Sequence, residues 1–183
     1  MTPPILITLF RFASAPVLLV LAWQERPTAF VILLAAAFVS DALDGYLARR
    51  LGYASDFGAK LDSLCDLAVY ITIPLGAWWL WPELVRREAP YFATLVACFV
   101  GPGLAALAKF GRLATYHTWL VKAAVFVTGS GLLVLFAGGP AWPFHAAVPV
   151  CVLAALEEVA ITWMLPEPRA NVPSLWHAMR PRH

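Results

Sequence analysis

Charge is what this sequence lacks most. Only 13% of its 183 residues are Asp, Glu, Lys or Arg, and 61% are hydrophobic. A soluble domain carries about a quarter charged residues, so the shortage excludes an ordinary water-soluble fold and makes lipid the expected solvent. The formal net charge of +2 is small and gives no ground for a nucleic-acid partner. Cysteine is scarce too. Cys65, Cys98 and Cys151 each sit inside an apolar run, are odd in number, and match no zinc spacing. They read as buried free thiols. None of the four histidines has a partner at ligand spacing. A basic segment ahead of the first apolar run is missing from Met1-Thr2-Pro3-Pro4, and Arg11 interrupts that run. The first hydrophobic segment is therefore expected to stay as a membrane helix rather than be cleaved. Internal repeats and low-complexity tracts are absent.

What is present is six apolar runs, near 4–23, 28–49, 59–80, 91–111, 118–137 and 145–165, each close to the roughly 20 residues that cross a bilayer. They predict an all-α fold, a polytopic bundle of six transmembrane helices forming one domain over 1–183. Breaks are expected at 24–27, 50–57, 81–90, 111–117 and 137–144, with a kink at Gly101-Pro102-Gly103. Residues 166–183 read as a polar, Pro-rich surface tail. With the N-terminus in the cytoplasm, ten of the thirteen Lys and Arg fall on the cytoplasmic side; Arg26, Arg86 and Arg87 fall opposite. Trp119 and Trp163 then mark one interface, and Trp23, Trp78, Trp79, Trp81 and Trp142 the other. The expected location is a bacterial cytoplasmic membrane.

Against that background, four carboxylates fall within 26 residues: Asp41, Asp44, Asp62 and Asp66. Charge inside an apolar helix is costly and usually functional. On a helix Asp41, Asp44 and Ala48 share one face, as do Gly58, Asp62 and Asp66. Two helices joined by the short stretch 50–57 run antiparallel and can turn both faces to one point. Four carboxylates at one point need cations, and hard ions with oxygen ligands, Mg²⁺ or Mn²⁺, suit them. Magnesium held by carboxylates commonly takes further ligands from substrate phosphates. Phosphate chemistry at a membrane surface, opening to the cytoplasm, is one reading. Ion or proton passage through a bundle is the other.

The spacing Asp-x2-Asp-Gly-x2-Ala-Arg-x8-Gly-x3-Asp-x3-Asp resembles the signature of the CDP-alcohol phosphatidyltransferases. All eight fixed positions are met: Asp41, Asp44, Gly45, Ala48, Arg49, Gly58, Asp62 and Asp66. At average residue usage the match has a chance of roughly 10⁻¹⁰ per window. The resemblance implies that Asp41, Asp44 and Asp62, with Asp66 at the edge, hold two divalent cations against the diphosphate of a CDP-alcohol donor. It implies that Arg49 contacts the donor, and that Gly45, Ala48 and Gly58 leave room for the cytidine. Asp66 would be the general base that takes the proton of a small alcohol acceptor, with CMP as leaving group. Related enzymes often carry Asn-x-x-Thr-x-x-Arg in the first helix. Here Thr8 and Arg11 are kept, with Thr8 as a donor contact, but Ile5 stands in the Asn position. Family members are commonly homodimers.

Other polar residues leave alternatives open. Lys109, Arg112, Thr115 and Lys122 form a basic stretch between the fourth and fifth runs, either a positive-inside loop or an anion site for a phosphorylated acceptor. Lys122 is expected to project into the fifth helix, where it would need an anion. Arg11 either snorkels to the interface or makes a buried polar contact. Glu157 and Glu158 are adjacent in the sixth run, so one of them faces inward. The donor is expected to be CDP-diacylglycerol; the reverse, a CDP-linked head group moved to diacylglycerol, uses the same motif. A membrane prenyltransferase and a divalent-cation transporter are the readings from other classes.

Overall fold

A computed structural model describes the backbone of residues 3–51, 56–112, 116, 118–167 and 172–179, and their side chains outside 3–9 and 41–67. Every regular element among them is a helix: α1 (Pro3–Trp23), α2 (Pro27–Leu51), α3 (Asp56–Leu80), α4 (Pro82–Arg87), α5 (Ala89–Phe110), α6 (Trp119–Phe136), α7 (Trp142–Met164) and α8 (Leu175–Met179). The six predicted runs are all helices. The expected connection over 50–57 is shorter, because α2 continues to Leu51 and α3 begins at Asp56. The expected break over 81–90 contains α4, with Glu83 in its first turn and Arg86 and Arg87 in its last, matching the helix dipole. Pro16, Pro74, Pro102 and Pro149 all lie inside helices, which membrane proteins tolerate when neighbours re-satisfy the backbone.

The chain divides into two compact units, Met1–Arg87 and Glu88–His183. In the first, α1 packs on both α2 and α3. Each helix contributes a stripe at helical spacing: Ala15, Leu18 and Ala22 from α1; Phe30, Leu34 and Ala37 from α2; Val69, Ile73 and Ala77 from α3. The stripes close tightly near the α1–α2 turn. A Cβ on Gly76 would lie 2.5 Å from the Phe30 ring, and Phe30 meets Trp81 edge-on at 5.9 Å. Three buried hydroxyls in this unit return to their own helices, Ser14 to the Arg11 carbonyl, Ser40 to Ala37 and Thr72 to Ala68, so these donors are satisfied without water.

In the second unit α7 is central and packs on α5, α6 and α8. Its buried stripe is Phe144, Ala147, Cys151, Ala154 and Ile161. Near its start, Phe92 and Tyr91 of α5 lie against Phe144, and Tyr91 stacks on His145 at 4.0 Å. His145 Nε2 sits 2.7 Å from the buried Glu88 carboxylate, which ties the start of α7 to the start of α5. Cys98 and Cys151 are free thiols; Cys151 is buried, as expected, whereas Cys98 is half-buried, and Cys65 lies outside the described side chains. Helices α5, α6 and α7 are each long and apolar enough to cross a membrane, while α1, α2 and α3 contribute shorter apolar stretches, Phe10–Trp23, Pro27–Ser40 and Ala68–Leu80, among the described residues.

The expected surface tail needs amending. Val172 is buried with Tyr116, Ile161 and Leu165, and Leu175 and Ala178 pack against that cluster. The tail therefore has an apolar inner side, which a reading of its overall polarity overlooks.

Gly131 sits tight against backbone in the second unit. A Cβ there would meet the Phe144 backbone at 2.8 and 2.9 Å and the Pro143 carbonyl at 3.0 Å. Backbone cannot swing aside as a side chain can, so Gly131→Ala is expected to cost about 1–3 kcal/mol, as overpacking does. A thermal melt in detergent should show this as a Tm several degrees lower. Gly101→Ala, where a Cβ meets nothing within 4 Å, should leave Tm unchanged.

Candidate active site

The buried stripes of the first unit carry the motif. On α2 the stripe Phe30, Leu34, Ala37 continues at the same alternating spacing of four and three to Asp41, Asp44 and Ala48. On α3 the stripe Ala77, Ile73, Val69 runs back to Asp66, Asp62 and Gly58. On α1, Ala22, Leu18 and Ala15 run back to Arg11 and Thr8. The short connections make the three helices alternate in direction, so these extensions all lie toward one end: the start of α1, the end of α2 and the start of α3. Gly45 and Arg49 lie in the same last turns of α2. The side chains of Asp41, Asp44, Gly45, Ala48, Arg49, Gly58, Asp62 and Asp66, and of Thr8, lie outside the described residues.

Arg11 is described, and it is only 2% exposed. Burial rules out the snorkelling alternative. A guanidinium taken out of water needs anions and hydrogen-bond acceptors, and its place on the stripe puts it at the end where the Asp positions lie. Sequence reasoning left this arginine undecided; its spacing from Ala15, Leu18 and Ala22 was the available signal.

The basic stretch of the second unit does not act as one group. Lys109 Nζ donates to the carbonyls of Thr162, Trp163 and Leu165 at 3.0, 2.8 and 2.8 Å. An ammonium has three donors, so all are used. The acceptors belong to the last turn of α7, where carbonyls have no intrahelical partner and a cation suits the dipole. Lys109 caps a helix here. Lys122 is exposed in the first turn of α6, with Nζ 4.7 Å from the Trp119 ring centroid, rather than buried as expected. Its early position lets it lie back over the aromatic ring. Arg112 is exposed beside Gly111, the left-handed cap of α5 (φ 67°). Thr115 lies outside the described residues.

The two glutamates divide as adjacent helical residues must. Glu158 falls on the buried stripe of α7 between Ala154 and Ile161, and borders a small groove with Cys98, Val121 and Cys151. Glu157 points to the chain end, where its Oε1 accepts from the Leu175 N–H at 3.1 Å. Below them Tyr116 Oη and Thr162 Oγ1 are 2.9 Å apart and buried.

The model of the CDP-alcohol phosphatidyltransferase family matches residues 1–165. The chain belongs to that family. A CDP-diacylglycerol–glycerol-3-phosphate 3-phosphatidyltransferase of Arabidopsis thaliana is 32% identical over 123 residues, 64% of this chain and 50% of that protein. A probable phosphatidylglycerophosphate synthase of Mycobacterium tuberculosis is 29% identical over 173 residues, 86% of this chain and 76% of that one. A CDP-diacylglycerol–serine O-phosphatidyltransferase of Methanocaldococcus jannaschii is 36% identical over 77 residues, 42% of this chain and 36% of that one. The chain thus spans half or less of the Arabidopsis and Methanocaldococcus relatives and about three quarters of the mycobacterial one. No solved structure matches it significantly. This CDP-alcohol phosphatidyltransferase homologue carries helices of membrane-crossing length and is an integral membrane protein.

Lys109 supplies a test that separates capping from acceptor binding. Lys109→Met strips three carbonyls of their charged donor, and hydrogen bonds to charged groups contribute about 1.5–3 kcal/mol. The partly exposed site lowers the expected loss to about 1–2 kcal/mol. Thermal unfolding should register it, while the KM for a phosphorylated acceptor should stay within about twofold of wild type.

Proposed function

We propose that the protein transfers the phosphatidyl group of CDP-diacylglycerol to the hydroxyl of glycerol 3-phosphate and releases CMP. The observation that carries this is the extension of three buried stripes into the complete Asp motif at one end of the first unit, together with buried Arg11. The names of the Arabidopsis and mycobacterial relatives support glycerol 3-phosphate as acceptor. The serine enzyme among the relatives makes serine the alternative. Helices α1, α2 and α3 have 21, 25 and 25 residues, roughly 31–38 Å at 1.5 Å per residue. That length suits six crossings in all, with the motif at the cytoplasmic end and the basic residues biased to that side. A single family domain over 1–183, acting as a homodimer in a bacterial cytoplasmic membrane, completes the reading.

Four carboxylates are an all-oxygen donor set that fits two Mg²⁺ or Mn²⁺ ions. No other group of three or more His, Cys, Asp or Glu able to hold a metal occurs among the described residues. Asp41, Asp44, Asp62 and Asp66 would hold the ions. Divalent ions so bound supply charge neutralisation at the diphosphate and stabilise the entering and leaving oxygens. Arg49 and Thr8 contact the donor, with the guanidinium matched to phosphate oxygens. Gly45, Ala48 and Gly58 leave the helices narrow where the nucleotide lies. Asp66 takes the acceptor's proton, the acceptor oxygen forms its bond to the phosphatidyl phosphorus, and the bond from that phosphorus to the CMP oxygen breaks. A carboxylate beside cations is a weak base, so placement of the acceptor must compensate. Exposed Arg112 and Lys122, with Thr115, remain candidates for the acceptor phosphate; Lys109 is committed to α7.

In detergent with Mg²⁺ and CDP-diacylglycerol, CMP should form on adding glycerol 3-phosphate and not on adding serine, inositol or inositol phosphate. Asp66→Asn should lower the rate by about 10²–10⁴-fold, the usual worth of a general base, and EDTA should stop it reversibly. CMP formation with serine alone would shift the acceptor. No CMP with any acceptor, and no stabilisation by CDP plus Mg²⁺ in folded protein, would sink the transferase reading in favour of cation transport.

A further inference from the structure

We propose that α8 is an interfacial anchor whose outer face docks on anionic phospholipid. The helix is two-sided. Leu175 and Ala178, three residues apart, pack inward on the cluster of Tyr116, Ile161, Leu165 and Val172. Trp176 and Met179, also three apart, face outward and are 60% and 50% exposed. Ser174 fixes this orientation: its carbonyl accepts from the His177 and Ala178 N–H groups, and its Oγ lies 2.8 Å from His177 Nδ1.

The position of α8 identifies what covers that face. The Trp119 N–H donates to the Pro173 carbonyl at 3.0 Å, and the Leu175 N–H donates to Glu157 at 3.1 Å. Those ties hold α8 where α6 begins and α7 ends. At the same level Trp119 is 69% exposed and Trp163 is 64% exposed. Both helices are of membrane-crossing length, so their ends lie at a bilayer surface. Exposed tryptophans at such ends form an interfacial belt, and Trp176 extends it sideways. A two-sided helix with its outer apolar residues at that level lies along the headgroup and acyl boundary.

Charge selects the lipid. Residues 172–183 contain no Asp or Glu, and Arg180 and Arg182 follow α8 directly in the sequence. Exposed Lys122 and Arg112 lie on the segments that lead into and out of the same end. Basic residues next to an interfacial helix favour anionic headgroups over zwitterionic ones. The inference needs only the membrane-spanning character of α6 and α7 and stands apart from the transfer reaction.

The test is hydrogen exchange of the segment 172–179 in the full-length protein, held in nanodiscs of phosphatidylglycerol with phosphatidylcholine, in phosphatidylcholine alone, and in detergent. Exchange should be about fivefold or more slower in the anionic discs than in the neutral ones, given the preference each arginine adds. Arg180→Gln with Arg182→Gln should erase that difference. Trp176→Ser with Met179→Ser should raise exchange in both kinds of disc while α6 and α7 keep theirs, which shows that the fold is intact. Equal exchange of the wild type in anionic and neutral discs would overturn the proposal and leave α8 docked on α7 alone. Protection that rises with protein concentration in detergent would overturn it too, because a second copy would then cover the face.

Discussion

A charged side chain in an apolar helix can be held in two ways: at a helix end within reach of water, or on the buried stripe with a compensating partner. Arg11 in the first unit is held in the second way, on the buried stripe and only 2% exposed. The unit's three stripes of Ala, Leu, Phe, Val and Ile run at spacings of three and four, and toward one end the same register passes from apolar residues to Arg11, to Asp41 and Asp44, and to Asp62 and Asp66. The tightly packed opposite end, where Phe30 lies against Gly76 and Trp81, fixes the helices against one another. Tight apolar packing at one end thus fixes the helix register that the Asp positions follow toward the other.

The second unit handles polarity differently. Four of its polar groups tie elements together: Lys109 on the end of α7, Glu157 on the start of α8, His145 on Glu88, Tyr116 on Thr162. Each tie satisfies a group that lipid cannot satisfy. The lysine's three carbonyls and the glutamate's N–H are backbone groups at helix termini, where unpaired donors and acceptors concentrate. This is why a basic stretch that reads in sequence as either a positive-inside loop or an anion site divides into Lys109, bonded to the end of α7, and exposed Arg112 and Lys122.

The sequence made the helices legible because hydrophobic run length is a strong signal in a membrane protein. The motif was legible because eight positions at fixed spacing leave little room for chance. What escaped was local or distant in scale. Helix α4 is six residues of mixed polarity inside an expected break, too short for periodicity to show. Helix α8 depends on Val172 and Leu175 finding Tyr116 and Ile161, partners set by the fold and not by local pattern. The role of Lys109 depends on carbonyls 53 to 56 residues away, and no spacing rule reaches that far. Arg11 lay between: its burial could have been read from the register of Ala15, Leu18 and Ala22, but the register becomes decisive only once those residues are known to face inward.

Adjacent Glu157 and Glu158 show how helix geometry turns one sequence feature into two. A step of about 100° per residue sends Glu158 along the stripe of α7 and Glu157 toward the chain end. Glu157 then accepts from Leu175, but its Oε2 is buried with no hydrogen-bond partner among the described residues. A half-satisfied carboxylate is an expensive way to hold a five-residue helix. Burying Val172 and packing Leu175 and Ala178 offset part of that cost within the protein. Outward-facing Trp176 and Met179, 60% and 50% exposed, would offset more of it on leaving water. The same ties that fix the inner face hold the outer face at the ends of two membrane helices, where leaving water requires no further movement of the chain.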